Sequence, residues 1–383
     1  HANVSGDQNT AIGLNAMQDN TTADNNTAVG FRAMDKNTTG TSNVGIGMDS
    51  LRTSTTGCEN VAVGCGAMCS TTTGNRSVAI GNNALFANTT GVNNTAVGWC
   101  ALETNTEGTG NVGIGYEALE ANTTAGNGTA VGYRALCSNT TGADNVSVGA
   151  CSMKLNTTGH SNTSVGTCAL YTNTEGDTNT AVGHHALKLN TTAADNTGIG
   201  RNALCTTTTG CVNTAMGSSA MQLNTTGDSN VAIGGSTLFN NTTADNNTAI
   251  GTTAMVDNTT GGNNTAAGYA ALANNTTAGG NTAIGLCSLY ANTTGSGNTA
   301  VGGGNALDTN TTGSNNVAVG NNALDANTTA DDNTALGAGA LYANTEGHSN
   351  VAVGRKSLFT STTADAKVAV GFCALKTNTG DNN

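Results

Sequence analysis

Asparagine followed by two threonines is the most frequent pattern in this 383-residue sequence that could carry chemistry. Fourteen copies match the Asn-x-Thr acceptor signal for N-linked glycosylation. The same asparagines could instead stack on one another and share amide hydrogen bonds, the alternative that we favour. O-linked sugar on exposed threonines is equally open. The candidate N-glycosylation sites are Asn20, Asn37, Asn88, Asn122, Asn139, Asn156, Asn190, Asn224, Asn241, Asn258, Asn275, Asn292, Asn310 and Asn327.

Cysteines are the second candidate group, and the sequence has 11 of them. Cys205 and Cys211 bracket one predicted turn, whereas Cys151 and Cys168 occupy the same place in adjacent repeats. Both pairs could form disulfides in an oxidising compartment. No pair has the spacing of a zinc site. Small surface residues at variable positions are an equally good interpretation of all these cysteines.

The remaining polar residues do not form a recognisable catalytic or metal-binding pattern. The five histidines have no recurring acidic or nucleophilic partner, and no acidic column recurs as it does in calcium-binding solenoids. We therefore predict no enzymatic activity, no metal and no cofactor. With 12 Lys and Arg against 24 Asp and Glu, binding to a nucleic-acid backbone is not expected. The sequence contains no run of 18 apolar residues, so we predict no membrane-spanning helix.

These residues sit in a repeat. The string Asn-Thr/Val-Ala/Gly-Val/Ile-Gly recurs every 17 residues from Asn9. A partial unit (1–8) and 22 units (9–383) predict a single continuous domain, 1–383. Counting from the first Asn, the fifth position is always Gly and the ninth always Leu or Met. We interpret the fourth (Val or Ile) and ninth positions as two core columns.

The unit is predicted to be all-β, since glycine recurs inside it and β-branched residues dominate. We expect one strand over positions one to five and a second between positions eight and 14. Stacked units give a parallel β-solenoid of about 22 rungs, a rod on the order of 105 Å long.

Small residues at the third and fifth positions indicate that another backbone approaches closely. That backbone could belong to the opposite wall of the same coil or to a partner chain. We favour a partner, because the apolar core of one chain is narrow.

The strings at 43–47, 77–81 and 230–234, each followed after two residues by a small residue and then Leu, resemble head repeats of trimeric autotransporter adhesins. Similar repeats occur in bacteriophage tail fibres. The resemblance implies a left-handed β-roll, three chains around one axis, and display on a cell or virion surface.

The chain starts and stops inside its repeat, which is expected either of a fragment or of subunits that stack end to end. We expect a structural component of an extracellular or surface fibre that associates with itself, laterally and in filaments. The alternative is an adhesin or tail fibre that binds glycans or matrix through variable turns such as Phe31-Arg32, Trp99-Cys100, Tyr116-Glu117 and His184-His185. Ice binding through threonine columns is a further, weaker alternative.

Overall fold

The structure, a computed structural model, describes residues 3–377. The predicted repeat at residues 1–2 and 378–383 lies outside the described residues. The fold is an all-β parallel β-solenoid of about 22 turns, as predicted, and no helix occurs within residues 3–377. It is described as two compact units: the N-terminal unit ends at Ala194 and the C-terminal unit begins at Asp195. The prediction of a single domain stays a prediction.

Each rung contributes one three-residue strand, formed by the second to fourth positions of the repeat. The strands of the N-terminal unit are β1 (Thr10–Ile12), β2 (Thr27–Val29), β3 (Val44–Ile46), β4 (Val61–Val63), β5 (Val78–Ile80), β6 (Thr95–Val97), β7 (Val112–Ile114), β8 (Thr129–Val131), β9 (Val146–Val148), β10 (Thr163–Val165) and β11 (Thr180–Val182). Those of the C-terminal unit are β12 (Thr197–Ile199), β13 (Thr214–Met216), β14 (Val231–Ile233), β15 (Thr248–Ile250), β16 (Thr265–Ala267), β17 (Thr282–Ile284), β18 (Thr299–Val301), β19 (Val317–Val319), β20 (Thr334–Leu336), β21 (Val351–Val353) and β22 (Val368–Val370).

Within each unit, consecutive strands pair in parallel and in register. Thr27 lies opposite Val44, and Val29 lies opposite Ile46. Each side chain therefore stacks on the residue at the same position of the next rung. The register survives the one length change that the structure describes, near Gly303, because Val301 still pairs with Val319.

The predicted second strand is wrong. Positions eight to 14 do hydrogen-bond to the next rung, as when Leu85 N–H donates to the carbonyl oxygen of Ala101 (2.9 Å). However, the ninth residue adopts a left-handed backbone, with φ of +54° at Leu85. A strand needs consecutive extended residues, so this conformation turns the segment into an irregular wall.

The ninth position forms the core, as predicted, but the fourth does not. Leu85 and Leu102 are fully buried, whereas Ile80 and Ile114 are 42% and 39% exposed. Strand alternation correctly places the second and fourth positions on one face, but that face points outward. The third position, such as Ala96, is the buried one.

The small residues at the third position are explained by the opposite wall of the same chain. A Cβ added to Gly45 would lie 3.2 Å from side-chain atoms of Met34, a core residue of the preceding rung. The interpretation that a partner chain covers this face is therefore wrong. Self-association itself stays a prediction.

The fifth-position glycine approaches another backbone closely, as predicted, and that backbone belongs to the next rung. Gly81 has φ of +140°, and a Cβ on it would overlap the carbonyl oxygen of Gly98. A conformation rare for L-residues and the lack of space both require glycine here.

Candidate functional surfaces

The twelfth-position asparagines form the predicted amide ladder. Asn122 Nδ2 donates to Oδ1 of Asn105 (2.7 Å) and to the carbonyl oxygen of Ala125 (3.1 Å), while its own Oδ1 accepts from Asn139 Nδ2 (3.2 Å). Equivalent bonds link Asn258 to Asn241 in the C-terminal unit. The asparagine side chains thus join successive rungs and also close a turn within each rung.

This ladder places the predicted glycosylation sites inside the solenoid. All fourteen candidate asparagines are buried, with Asn20, the most exposed, at 3%. A glycan would have to be attached to Nδ2, an atom that already donates in the ladder. Glycosylation stays a prediction, and the folded chain disfavours it because the acceptor atoms are out of reach of a transferase.

Serine or threonine at the twelfth position interrupts the ladder. Ser54 Oγ and, one rung below, Asn37 Oδ1 are both buried and have no hydrogen-bond partner among the described residues. A serine side chain is too short to bridge a rung, so these two atoms mark a local defect in the N-terminal unit.

First-position asparagines form a second ladder. Asn111 Oδ1 accepts from the backbone N–H of Gly128 (2.8 Å), and its Nδ2 donates to the carbonyl oxygen of Ala125 (2.8 Å). The carbonyl oxygen at the fifteenth position therefore accepts from both asparagine columns. This shared acceptor explains why asparagine recurs at two places in each unit.

Threonine hydroxyls of the thirteenth position are also used between rungs. Thr38 Oγ1 donates to the carbonyl oxygen of Thr55 (3.0 Å), and Thr89 Oγ1 donates to that of Thr106 (3.0 Å). A hydroxyl that already donates its hydrogen within the chain has one hydrogen bond fewer to offer to an ordered layer of water. Ice binding stays an untested alternative, and this column does not favour it.

The predicted disulfide positions lie on the turns. Cys151 and Cys168 are thiols at the same position of adjacent rungs, and burial, followed by the charge of Cys151, raises the pKa of Cys168. Cys211 Sγ donates to the carbonyl oxygen of Thr209 (3.3 Å), while Cys205 lies on the long turn before it. Both disulfides stay predictions.

An aromatic row with charged neighbours lies on the turns of the N-terminal unit. Trp99, Tyr116 and Tyr133 stack with ring centroids 4.9 and 5.3 Å apart. Arg134 pairs with Glu117 at 2.5 Å. Burial alone would raise the pKa of Glu117, but hydrogen bonds from Arg134 and Tyr116 outweigh it and hold this pKa below its usual range.

Beside this row, three side chains lie close enough together to share one metal ion, and their spacing along the chain did not indicate it. Ligand atoms of Glu117, Glu120 and Cys137 lie within 4.8 Å of one another. Arg134 already neutralises Glu117, and Cys137 Sγ donates to Glu120 (3.3 Å). Burial, then that hydrogen bond, raises the pKa of Cys137 to about 12, which keeps the thiol protonated and a poor ligand or nucleophile.

A further candidate surface is the outer face of the strands, defined here as the second- and fourth-position side chains. Every strand consists of uncharged residues, with Thr or Val at the second position and mostly Val or Ile at the fourth. Fourth-position side chains such as Ile46, Ile80 and Ile250 are 40–44% exposed. Each unit therefore presents a continuous stripe without charge, in a protein of net charge −12.

The chain was compared with known proteins. No protein-family model matches it, and no curated protein does either. A search of residues 3–377 for a helix long and apolar enough to cross a membrane finds none.

Proposed function

We propose that this chain is a structural element of a fibre outside the cell or on a virion surface, in which copies lie side by side through the outer strand face. The observation that carries this proposal is the uncharged, half-exposed stripe in each unit. Exposed, largely apolar patches of about 300–600 Å² are often interaction sites. The sequence resemblance to trimeric adhesin heads adds the expectation of three chains.

The size of the stripe is sufficient for a specific contact. Three residues at ~3.3 Å give a width of ~10 Å, and eleven rungs at ~4.8 Å give a length of ~50 Å, so each unit offers ~500 Å². A pair of such faces would bury ~1,000 Å² in total, which is the lower bound for a specific interface. A second copy also has the same rung spacing, so side chains meet in register along the whole stripe.

End-to-end stacking into filaments belongs to the same proposal. In each described unit, backbone and asparagine bonds join one rung to the next in the same pattern. A further copy of the chain has the complementary groups to continue that pattern.

Light scattering after size-exclusion chromatography tests the lateral contact. We expect the wild-type chain to form side-by-side oligomers, and Ile80→Lys with Ile114→Lys to lose them because buried lysines would face apolar partners. Only single chains, or end-to-end stacks one chain wide, should then remain. Thr90→Lys with Thr124→Lys, on the exposed fourteenth position, is the matched control and keeps the oligomer. A wild-type chain that is monomeric at high concentration, or face variants that assemble normally, would overturn the proposal.

A further inference from the structure

A slot interrupts the turn surface of the C-terminal unit. It is a cavity of about 390 Å³. Its floor is formed by the small residues at the sixth and seventh positions of the β20 rung, and its two walls by the same positions of the adjoining rungs. The floor and walls consist of Ala338, Gly339, Asn321, Asn322, Arg355 and Lys356.

The thickness of the slot follows from the rung spacing. Stacked rungs are ~4.8 Å apart, so each rung normally supplies one layer of side chains. Ala338 and Gly339 supply almost no side-chain atoms to this layer. Backbone hydrogen bonds nevertheless keep the rung spacing, since Gly339 N–H donates to the carbonyl oxygen of Asn321 (3.0 Å). On the other side, Lys356 N–H donates to the carbonyl oxygen of Ala338 (3.0 Å). The slot is therefore one side-chain layer thick, about the thickness of a single six-membered ring seen edge-on.

An aromatic pair closes the side of the slot. Tyr342 and Phe359 stack with ring centroids 5.0 Å apart and planes 11° apart. Because Tyr342 and Phe359 stack face to face, it is the edges of their rings that line the slot. A Cβ added to Gly339 would lie 3.3 Å from Cε2 of Phe359 and 3.5 Å from Cγ of Lys356, so these two side chains cover the buried glycine, and the open part of the slot lies over the exposed Ala338. Ring edges carry partial positive charge and attract oxygen atoms.

The two cations on one wall have no acidic partner. No carboxylate in the described part of the chain lies within salt-bridge distance of Arg355 or Lys356, although acidic residues outnumber basic ones two to one in the sequence. Lys356 Nζ instead lies 5.2 Å from the ring centroid of Phe359. These are also the only two adjacent Lys or Arg residues in the sequence. The opposite wall offers the amides of Asn321 and Asn322.

We infer that the slot binds the ring of an acidic sugar, a pyranose that carries a carboxylate or a sulfate ester. The ring occupies the layer that the small side chain of Ala338 leaves empty, against the edge of Phe359. Arg355 and Lys356 bind the anionic group, with the planar guanidinium suited to a two-oxygen contact. Asn321 and Asn322 exchange hydrogen bonds with the hydroxyls. This site goes beyond the proposed fibre function, since it gives the fibre a specific attachment point.

Calorimetric titration of the full chain with trigalacturonate tests the inference. We expect saturable binding and at least a tenfold loss with the methyl-esterified trisaccharide, because the ester removes the charge that Arg355 and Lys356 bind. A sulfated disaccharide distinguishes the two anionic groups. Inorganic sulfate, which lacks a ring, should bind at least tenfold more weakly than the preferred sugar.

Two variants locate the binding. Ala338→Tyr fills the empty layer and should abolish binding, and Arg355→Gln should weaken it about tenfold. Arg201→Gln changes a cation at the sixth position of another rung and is the matched control, with unchanged affinity. Equal affinity for acid and ester, normal binding by Ala338→Tyr, or no binding of any acidic sugar at millimolar concentration would overturn the inference. The slot shares no residue with the outer strand face, so these results are independent of fibre assembly.

Discussion

The asparagine ladder predicts that Asn122→Asp destabilises the chain more than Asn122→Ala does. Aspartate has the shape of asparagine but lacks the Nδ2 donor. Its second oxygen would face Oδ1 of Asn105 and the carbonyl oxygen of Ala125, which lie 2.7 and 3.1 Å from the present nitrogen. Alanine only leaves these acceptors empty.

The magnitudes follow from which atoms lose their last partner. In Asn122→Ala, the carbonyl oxygen of Ala125 still accepts from Asn111, and Asn139 Nδ2 still donates to Gly142, so only Asn105 Oδ1 is orphaned. One buried unsatisfied acceptor and a small cavity cost ~2–4 kcal/mol. Asn122→Asp adds an unpaired buried charge, so we expect a loss above ~4 kcal/mol at pH 7.

Chemical denaturation followed by circular dichroism at pH 7 and pH 4 measures both variants. An aspartate that is buried without a cation has a raised pKa in the folded state. The Asn122→Asp variant therefore loses stability as the pH rises through that folded-state pKa. The deficit of Asn122→Asp should therefore shrink at pH 4, whereas that of Asn122→Ala should not. An aspartate variant as stable as the wild type at pH 7 would refute the reasoning.

Thr124→Ala is the matched control for this experiment. It removes the glycosylation signal of Asn122 but leaves the ladder intact, because Thr124 lies on the exposed fourteenth position. We expect a change in stability below ~0.5 kcal/mol.

Three further predictions concern other positions. Gly81→Val should lower the free energy of unfolding by ~3 kcal/mol or more, because the left-handed φ and the next rung's carbonyl exclude a Cβ; a denaturation curve like that of the wild type would rule this out. Ser54→Asn should raise the free energy of unfolding by ~1 kcal/mol, since it supplies the donor that Asn37 Oδ1 lacks; an unchanged denaturation midpoint would contradict this. Burial raises the pKa of Asp308, and burial, then the charge of Asp308, raises that of Asp325. Stability should therefore fall as pH rises through these raised pKa values, and Asp308→Asn should flatten that dependence in a pH series of thermal melts.

The sequence was enough to predict the solenoid, the glycine column and the asparagine ladder, because each of these depends on one residue type that stacks on itself every 17 residues. It did not predict which strand face is inside. Alternation shows that Thr95 and Val97 share a face, but the fully buried Ala96 defines the interior, and its small size fits only because the opposite wall is so close.

The slot and the irregular wall were missed for a related reason. The left-handed backbone at Leu85 cannot be predicted from the residue type, because leucine is present there for its fit to the core. The slot arises from two small residues in one unit, Ala338 and Gly339, and small residues signal a cavity only when the neighbouring rungs are known to be large.

The extra residue near Gly303 has a practical consequence. The turn around it absorbs one residue while Asn310 still donates to Asn292 across the same rungs (2.9 Å). A Cβ on Gly303 would meet no atom within 4 Å. A foreign peptide inserted at this point would leave the ladders on either side unchanged. The number of rungs between two inserts of one unit would then fix the distance between them, as a multiple of ~4.8 Å.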